Sequence, residues 1–346
     1  MINSLWRDAK YLYLFLLLSG LASPLVAAEL TLPGYQRGDG AIVLHYGGDR
    51  IDPYFASKAL LVAKAAGLNV DVAAKAWVEW VITQQLEDGR FFRMCIDGAN
   101  YLHCEKADAD DALLAVWIEL LLSIASEEGM PTHWHKSWQQ ASNYLFSLLF
   151  DRKRGIFYIS RSERVGLLMD NVEVYSALNT TADYYARKGD AGRAQLMRQR
   201  ATQLNKDIVQ TFWQPQQHVF AVSTEEYEHH GFYPDAVAQL YPLLARMTAP
   251  GHDARSIYRD WMQEHQQAWL EQGKHDYPWG LVALLANQME DRASVGCWIE
   301  HAQPLRHGQR WNVLEEVVFQ GLNKDDNKQQ NMGKGSSCLA LPGSTH

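Results

Sequence analysis

Residues 107–125 read ADADDALLAVWIELLLSIA. Three aspartates open the stretch, and of the residues that follow Asp111 in it only Glu119 is charged. A helix that is apolar on every face is a buried helix. One whose first turn collects carboxylates is a buried helix with an acidic mouth. The same construction recurs five more times, in IDPYFASKALLVAKAAG (51–67), MDNVEVYSALNTTADYY (169–185), YPDAVAQLYPLLARM (233–247), DYPWGLVALLANQM (276–289) and WNVLEEVVFQGL (311–322).

Between these lie five more polar helical stretches, beginning at Asp71, Thr132, Asp190, Asp253 and Arg292. Their apolar residues recur at three-and-four spacing with charges between, as in an outer helix with one wet face. Three of them run into a turn and a short aromatic segment: EDGRFFRM (87–94), RKRGIFYIS (152–160) and PQQHVFAVS (215–223). Phe91, Phe157 and Phe220 take equivalent places at nearly equal separations along the chain. Gly89 and Gly155 supply the turn, and Gln217-His218 replaces it in the third copy. A long, regular internal period describes an array of one supersecondary unit. The expected fold is all-α: a toroid of helical hairpins with short β-turn segments between them, its acidic helix mouths gathered at one end.

With this alternation the chain resembles the six-hairpin, (α/α)6-barrel glycosidase superfamily over residues 51–322. The resemblance implies an inner ring of helices clothed by an outer one, and hydrolysis mostly with inversion. No sixth outer helix is legible, because KDDNKQQNMGKGSSCLALPGSTH (324–346) is polar and reads as disordered. The lead-in at 29–50, extended and glycine-rich, is the candidate to close the ring instead.

Composition narrows the partners. The 346 residues carry 40 acidic and 32 basic side chains, a net charge of −8. That balance argues against nucleic acid or an anionic membrane surface. Twelve Trp and sixteen Tyr suit sugar faces, although most are expected to be core. Arg7 and Lys10, the apolar run Tyr11 to Leu21 and the small-residue site Val26-Ala27-Ala28 read as a secretory signal over 1–28. The apolar run is short for a membrane span. In an exported chain, Cys95 and Cys104 in CIDGANYLHC would close a disulfide. Cys297 and Cys338 are less readable. No cofactor or metal is expected; His133/His135 and His229/His230 read as surface histidines.

The candidate catalytic carboxylates are Asp110 and Asp111, Asp170 and Glu173, and Asp235. Crowded carboxylates resist joint ionisation, so one can keep a proton near neutral pH. The competing explanation is capping. It is the better one for Asp108, and Asp170 with Glu173 has the spacing of a capping box. Yet Leu167, Leu168 and Met169 make that helix entrance apolar, where a carboxylate is more readily tuned. YPD at 233–235 and DYPW at 276–279 each set an aromatic ring, a proline and an acid together at a helix start. Candidate substrate-binding residues are Tyr54, Tyr233, Asp276, Tyr277, Trp279, Arg310, Trp311 and Glu315. Glu315 and Glu316 point about 100° apart, so only one can face the ring interior. For Arg310, pairing with a neighbouring acid is the simpler role.

The function expected is action on an oligosaccharide or polysaccharide, first as a glycoside hydrolase with a carboxylate pair. The alternatives are a non-catalytic polysaccharide-binding or exopolysaccharide secretion factor, and a uronic-acid polymer lyase or epimerase. Asp108-Ala109-Asp110-Asp111 also spells DxDD, the acid motif of class II terpene cyclases, as an isolated four-residue match.

Overall fold

The computed structural model describes residues 27–226, 231–247 and 253–323, together with Cys338. Residues 1–26 of the stretch read as a secretory signal, His229/His230 and the polar tail apart from Cys338 lie outside them. The chain forms helices in consecutive pairs: α1 (Pro53–Ala65) and α2 (Asp71–Ile82), α3 (Asp110–Ile124) and α4 (Thr132–Leu148), α5 (Leu168–Arg187) and α6 (Ala191–Phe212). A π-turn at Phe232–Ala236 leads to α7 (Tyr241–Leu244), followed by α8 (Ala254–Glu271), α9 (Gly280–Gln288) and α10 (Arg292–Ala302), and α11 (Val313–Asn323) closes the series. The odd-numbered helices are the six apolar stretches. Pro242 enters α7 in its first turn and the preceding turn is a π-turn, so the fourth inner element is broken.

Burial separates the two sets. In α3, 13 of 15 residues are buried, whereas α8 buries only Tyr258, Trp261, Met262 and Trp269 of its 18. Helix α3 packs between α1 and α5, α1 packs on α11, and α11 on α9, so the inner helices follow one another around a ring. Indole rings seal inner to outer helices with their N–H groups satisfied. Trp77 donates to Ser57 Oγ at 3.1 Å and Trp117 to Ser137 Oγ at 3.0 Å. Trp298 donates to the Pro278 carbonyl at 2.8 Å. A buried indole left unpaired would give up much of what its apolar area contributes.

The aromatic segments are β-hairpins between helix pairs. Strands β1 (Arg50–Ile51), β2 (Phe92–Asp97) and β3 (Asn100–Lys106) form one antiparallel sheet. The other two hairpins pair β4 (Phe150–Asp151) with β5 (Ile156–Phe157), and β6 (Trp213–Gln214) with β7 (Val219–Phe220). Phe91, Phe157 and Phe220 are all buried beneath them. The turn ahead of each phenylalanine uses the left-handed region: Gly89 at φ 99°, Gly155 at φ 72°, and in the third copy His218 at φ 56°. The expected disulfide Cys95–Cys104 staples β2 to β3, and a second joins Cys297 to Cys338.

No sixth outer helix is present among the described residues; the lead-in takes its place. Leu30, Leu32, Tyr35, Ile42 and Val43 are buried. Gln36 Nε2 donates to the Ala73 carbonyl at 2.9 Å, and Gln320 Nε2 to that of Thr31 at 2.8 Å. The Val313 amide donates to the Leu44 carbonyl at 2.9 Å. The segment thereby ties α2 to α11. No described helix is long and apolar enough to cross a membrane.

Candidate functional site

Aspartates cap three of the outer helices but not the inner helices α3 and α5. Asp190, Asp253 and Asp291 each accept backbone N–H bonds at the starts of α6, α8 and α10. Helices α3 and α5 begin instead at Ala109 and Leu167, with no side-chain cap. The expected cap at Asp108 and the capping box of Asp170 with Glu173 are therefore not formed. Among the inner helices, Asp52 caps α1 by accepting from the Tyr54 amide at 2.9 Å, and Asn312 accepts from the Leu314 and Glu315 amides. The acids that cap nothing on α3 and α5 are left for other work.

A cleft of about 270 Å³ opens at the ring's end where the inner helices start. Its carboxylates are Asp52, Asp108, Asp170, Asp276 and Glu315, and its rings are Tyr54, Phe55, Tyr233, Tyr241, Tyr277 and Trp279. Arg93, from β2, is the guanidinium in its lining. That group is shared among acids: Nε lies 2.7 Å from Asp52 Oδ2, Nη2 3.5 Å from Asp108 Oδ2, and Nη1 3.9 Å from Glu105 Oε2.

Asp170 is buried in the wall of this cleft, and its carboxyl is hydrogen-bonded to that of Asp111, which is fully buried behind it. Two carboxyl groups bond to each other only when one is protonated. Asp111 Oδ1 also accepts from the Ala112 amide at 2.9 Å, whereas Oδ2 of both aspartates meets no N–H or hydroxyl donor. The pair therefore holds a proton, and Asp170 is its member at the cleft wall. Burial, then the negative charges of Asp111 and Glu173, hold its carboxyl well above the usual range; burial raises Asp111 as well.

Glu173 lies one turn deeper and outside the cleft lining. Its Oε1 accepts from Tyr54 at 2.7 Å and from Lys58 Nζ at 2.9 Å. Asp110 faces outward, with its Oδ2 3.8 Å from Arg90 Nη1 and a bond from Tyr144; burial pushes it up to about 6. Asp235 accepts from the Gly231 amide at 2.7 Å and does not line the cleft. The three aspartates of DxDD thus point to the mouth, to the outer wall and to the interior. No shared proton device results.

Across the ring, Glu315 faces the cleft and Glu316 does not. Glu315 Oε2 accepts from the Gly280 amide at 2.8 Å, and the Trp279 amide bonds the same carboxyl. Burial outweighs both donors and pushes Glu315 up to about 8. Glu316 is held below the ordinary carboxylate range despite its burial, by Arg306, Gln320 and Trp311. Arg310 points away and donates to the Lys274 carbonyl, and Trp311 is wholly buried against Trp298 and Phe319. Neither lines the cleft.

Trp279 holds a left-handed backbone, with φ 52 and ψ 56 degrees. That conformation costs a bulky residue about 1–3 kcal/mol. Its amide is held by Glu315, its carbonyl by Trp269 Nε1 at 3.2 Å, and its own indole donates to Asp276 Oδ2 at 3.2 Å. So fixed, the indole stacks on Tyr233, centroids 4.9 Å apart and planes at 19°. Tyr233 is 52% exposed, and the pair forms an aromatic wall at the rim.

Sequence reasoning did not single out Arg93, Lys58 or Tyr241. Arg93 sits in a hairpin and Lys58 inside an apolar helix, and neither has a local neighbour that betrays its partner.

Several solved structures share this fold. The chain superposes on a glycosidase variant in complex with glucose with a TM-score of 0.52 and 10% identity, covering 84% of this chain and 92% of that one. It superposes on a D-mannose isomerase equally well, at 12% identity over 85% and 94% of the two chains. The fold they share with this chain is the all-α toroid of helical hairpins, an (α/α)6 barrel. A rhamnosidase from Klebsiella oxytoca with rhamnose bound also matches, with a TM-score of 0.49 and 12% identity. That match covers 80% of this chain, which spans 57% of the rhamnosidase chain. No family profile and no protein of curated function matches the sequence.

Proposed function

We propose that the chain is a carbohydrate-active enzyme, a glycoside hydrolase that cleaves an oligosaccharide or polysaccharide in this cleft. The observation that carries the reading is the buried Asp170–Asp111 carboxyl pair in the wall of a cleft lined by the Tyr233–Trp279 stack. Glycoside hydrolysis needs a proton for the leaving oxygen and a second carboxylate. Asp170 is the donor. Asp52 and Asp108 are both paired with Arg93, whereas Asp276 accepts only from Trp279 Nε1 among the bonds described, so Asp276 is the base that activates water. Glu315 orders the Trp279 backbone, and the exposed rings receive the CH faces of the sugar.

A uronate substrate is not favoured, because the guanidinium that would hold its carboxylate is occupied by three acids. Action outside the cytoplasm is part of the proposal: two disulfides belong to an oxidising compartment, in keeping with the signal read at 1–28. The test is reducing-end release from a panel of polysaccharides by the wild type, Asp170→Asn and Asp276→Asn. Release that both substitutions abolish supports the assignment. Binding without release, unchanged by either, would make the chain a polysaccharide-binding protein instead.

A further inference from the structure

A second cavity, about 140 Å³, lies in the ring behind the cleft. Tyr241 and Leu281 line both and form the septum, together with the Tyr54–Glu173 hydrogen bond. Ala65, Leu244 and Gln288 also line the second cavity, and each is the last residue of its inner helix. It therefore opens at the end opposite the cleft, where Ala65 and Gln288 are exposed.

Its wall is polar. Lys58 and Glu173 form an ion pair there at 2.9 Å, and Ser176 Oγ donates to Glu119 Oε1 at 3.0 Å. Glu173 is only 3% exposed, and its Oε2 has no hydrogen-bond partner. An orphaned carboxylate oxygen of that kind is costly unless water reaches it. A water needs only ~15 Å³ of such space and a few polar partners, so the cavity has room for several beside this cluster. The charged and titratable groups facing Glu173 are Tyr54 and Lys58 from α1, Asp111 and Glu119 from α3, Asp170 on its own helix, Tyr233 from the π-turn and Tyr241 from α7.

We propose that this rear cavity is a water-filled proton route, through which the Glu173–Asp111–Asp170 cluster exchanges protons with bulk solvent while the cleft is occupied. The role in turnover rests on the hydrolase reading. Asp170 gives one proton to the leaving oxygen and Asp276 takes one from the attacking water. Reset returns a proton from bulk to Asp170 and releases one from Asp276, so no net proton is consumed. A substrate seated on Asp170 closes the front, and the rear cavity leaves the deep side open.

The route is tested without substrate. Asp108→Cys places a thiol at the cleft mouth, where the native side chain is 88% exposed and no other described cysteine is free. A bulky maleimide on it caps the cleft. Ala245→Phe plugs the rear cavity, and Ser176→Leu does so independently should the first variant fold poorly. Rapid mixing into deuterated buffer, followed by the infrared carbonyl band of the buried carboxylic acid, reads the exchange. Capped protein and plugged protein should each exchange as fast as wild type. Protein both capped and plugged should slow by an order of magnitude or more. Slow exchange in the capped protein with the rear cavity open would overturn the proposal, as would unslowed exchange with both ends blocked. Because the readout needs no hydrolysis, an inactive chain would still decide it.

Discussion

Two sides of the ring bury carboxylates to the same depth and treat them in opposite ways. On the α11 side, Glu316 is 1% exposed and meets a full set of donors: Arg306 Nε at 2.9 Å with a second guanidinium nitrogen, Trp311 Nε1 at 3.0 Å and Gln320 at 2.8 Å. On the α3–α5 side, Asp111 and Asp170 are 0% and 8% exposed, and their main partner is each other. Burial raises a carboxyl in both places, and donors reverse it in only one. The supplied carboxylate is charged and structural. The unsupplied pair keeps a proton and is fit to deliver it.

The contrast breaks most visibly if Asp170→Asn is as active as wild type. Loss of a general acid costs roughly a hundred- to ten-thousand-fold in kcat. The asparagine can still donate to Asp111, so urea unfolding should show stability unchanged or improved. Glu316→Ala should do the reverse. It leaves Arg306 and the Trp311 indole without their acceptor and should cost about 3 kcal/mol in the same unfolding experiment. The protein that remains folded should keep its kcat.

The pH dependence of stability sharpens the contrast between the neighbours Glu315 and Glu316. Glu315 is raised from 4.5 to about 8, so the native state binds more protons than the unfolded one between those values. Its contribution is complete below 4.5 and is lost as pH rises toward 8. Glu316 is lowered, so its contribution is present above 4.5 and is lost as pH falls through its lowered value. Glu315→Gln should flatten the alkaline decline in melting temperature, and Glu316→Gln the acid one. Identical profiles for the two variants would remove the distinction. The smallest effect is expected at Gly280. An added Cβ there would meet Glu315 Oε2 at 2.7 Å and Trp298 at 2.9 Å. Gly280→Ala should therefore cost about 1–3 kcal/mol by thermal melting.

How much of this was legible depends on the range of the forces. The helix alternation was, because burial writes itself along each helix: α3 shows no wet face and α8 shows one broad face. The turn-and-phenylalanine repeat was also readable, down to His218 in the left-handed position that Gly155 holds one copy earlier. Within the site, the aromatic–proline–acid run at 276–279 reads locally and does line the cleft. Asp110 and Asp111 could not be told apart, since adjacent positions at a helix start diverge by about 100°. Which of them meets Arg90 and which meets Asp170 depends on residues that other helices and hairpins bring from far along the chain. Trp311 resembled a sugar platform, but the rings of Trp298 and Phe319 enclose it.

From the chain alone follow the helical ring, its inner and outer members, the acidic end and the Cys95–Cys104 bridge. Periodicity and short spacing are properties of neighbours in sequence. Tertiary structure alone decided which carboxylates face the cleft, which lie behind it and which are neutralised by Arg93, Lys58 or Arg306. A carboxyl's charge follows from desolvation and from donors within a few ångströms, and closure of the ring brings those donors from distant parts of the chain.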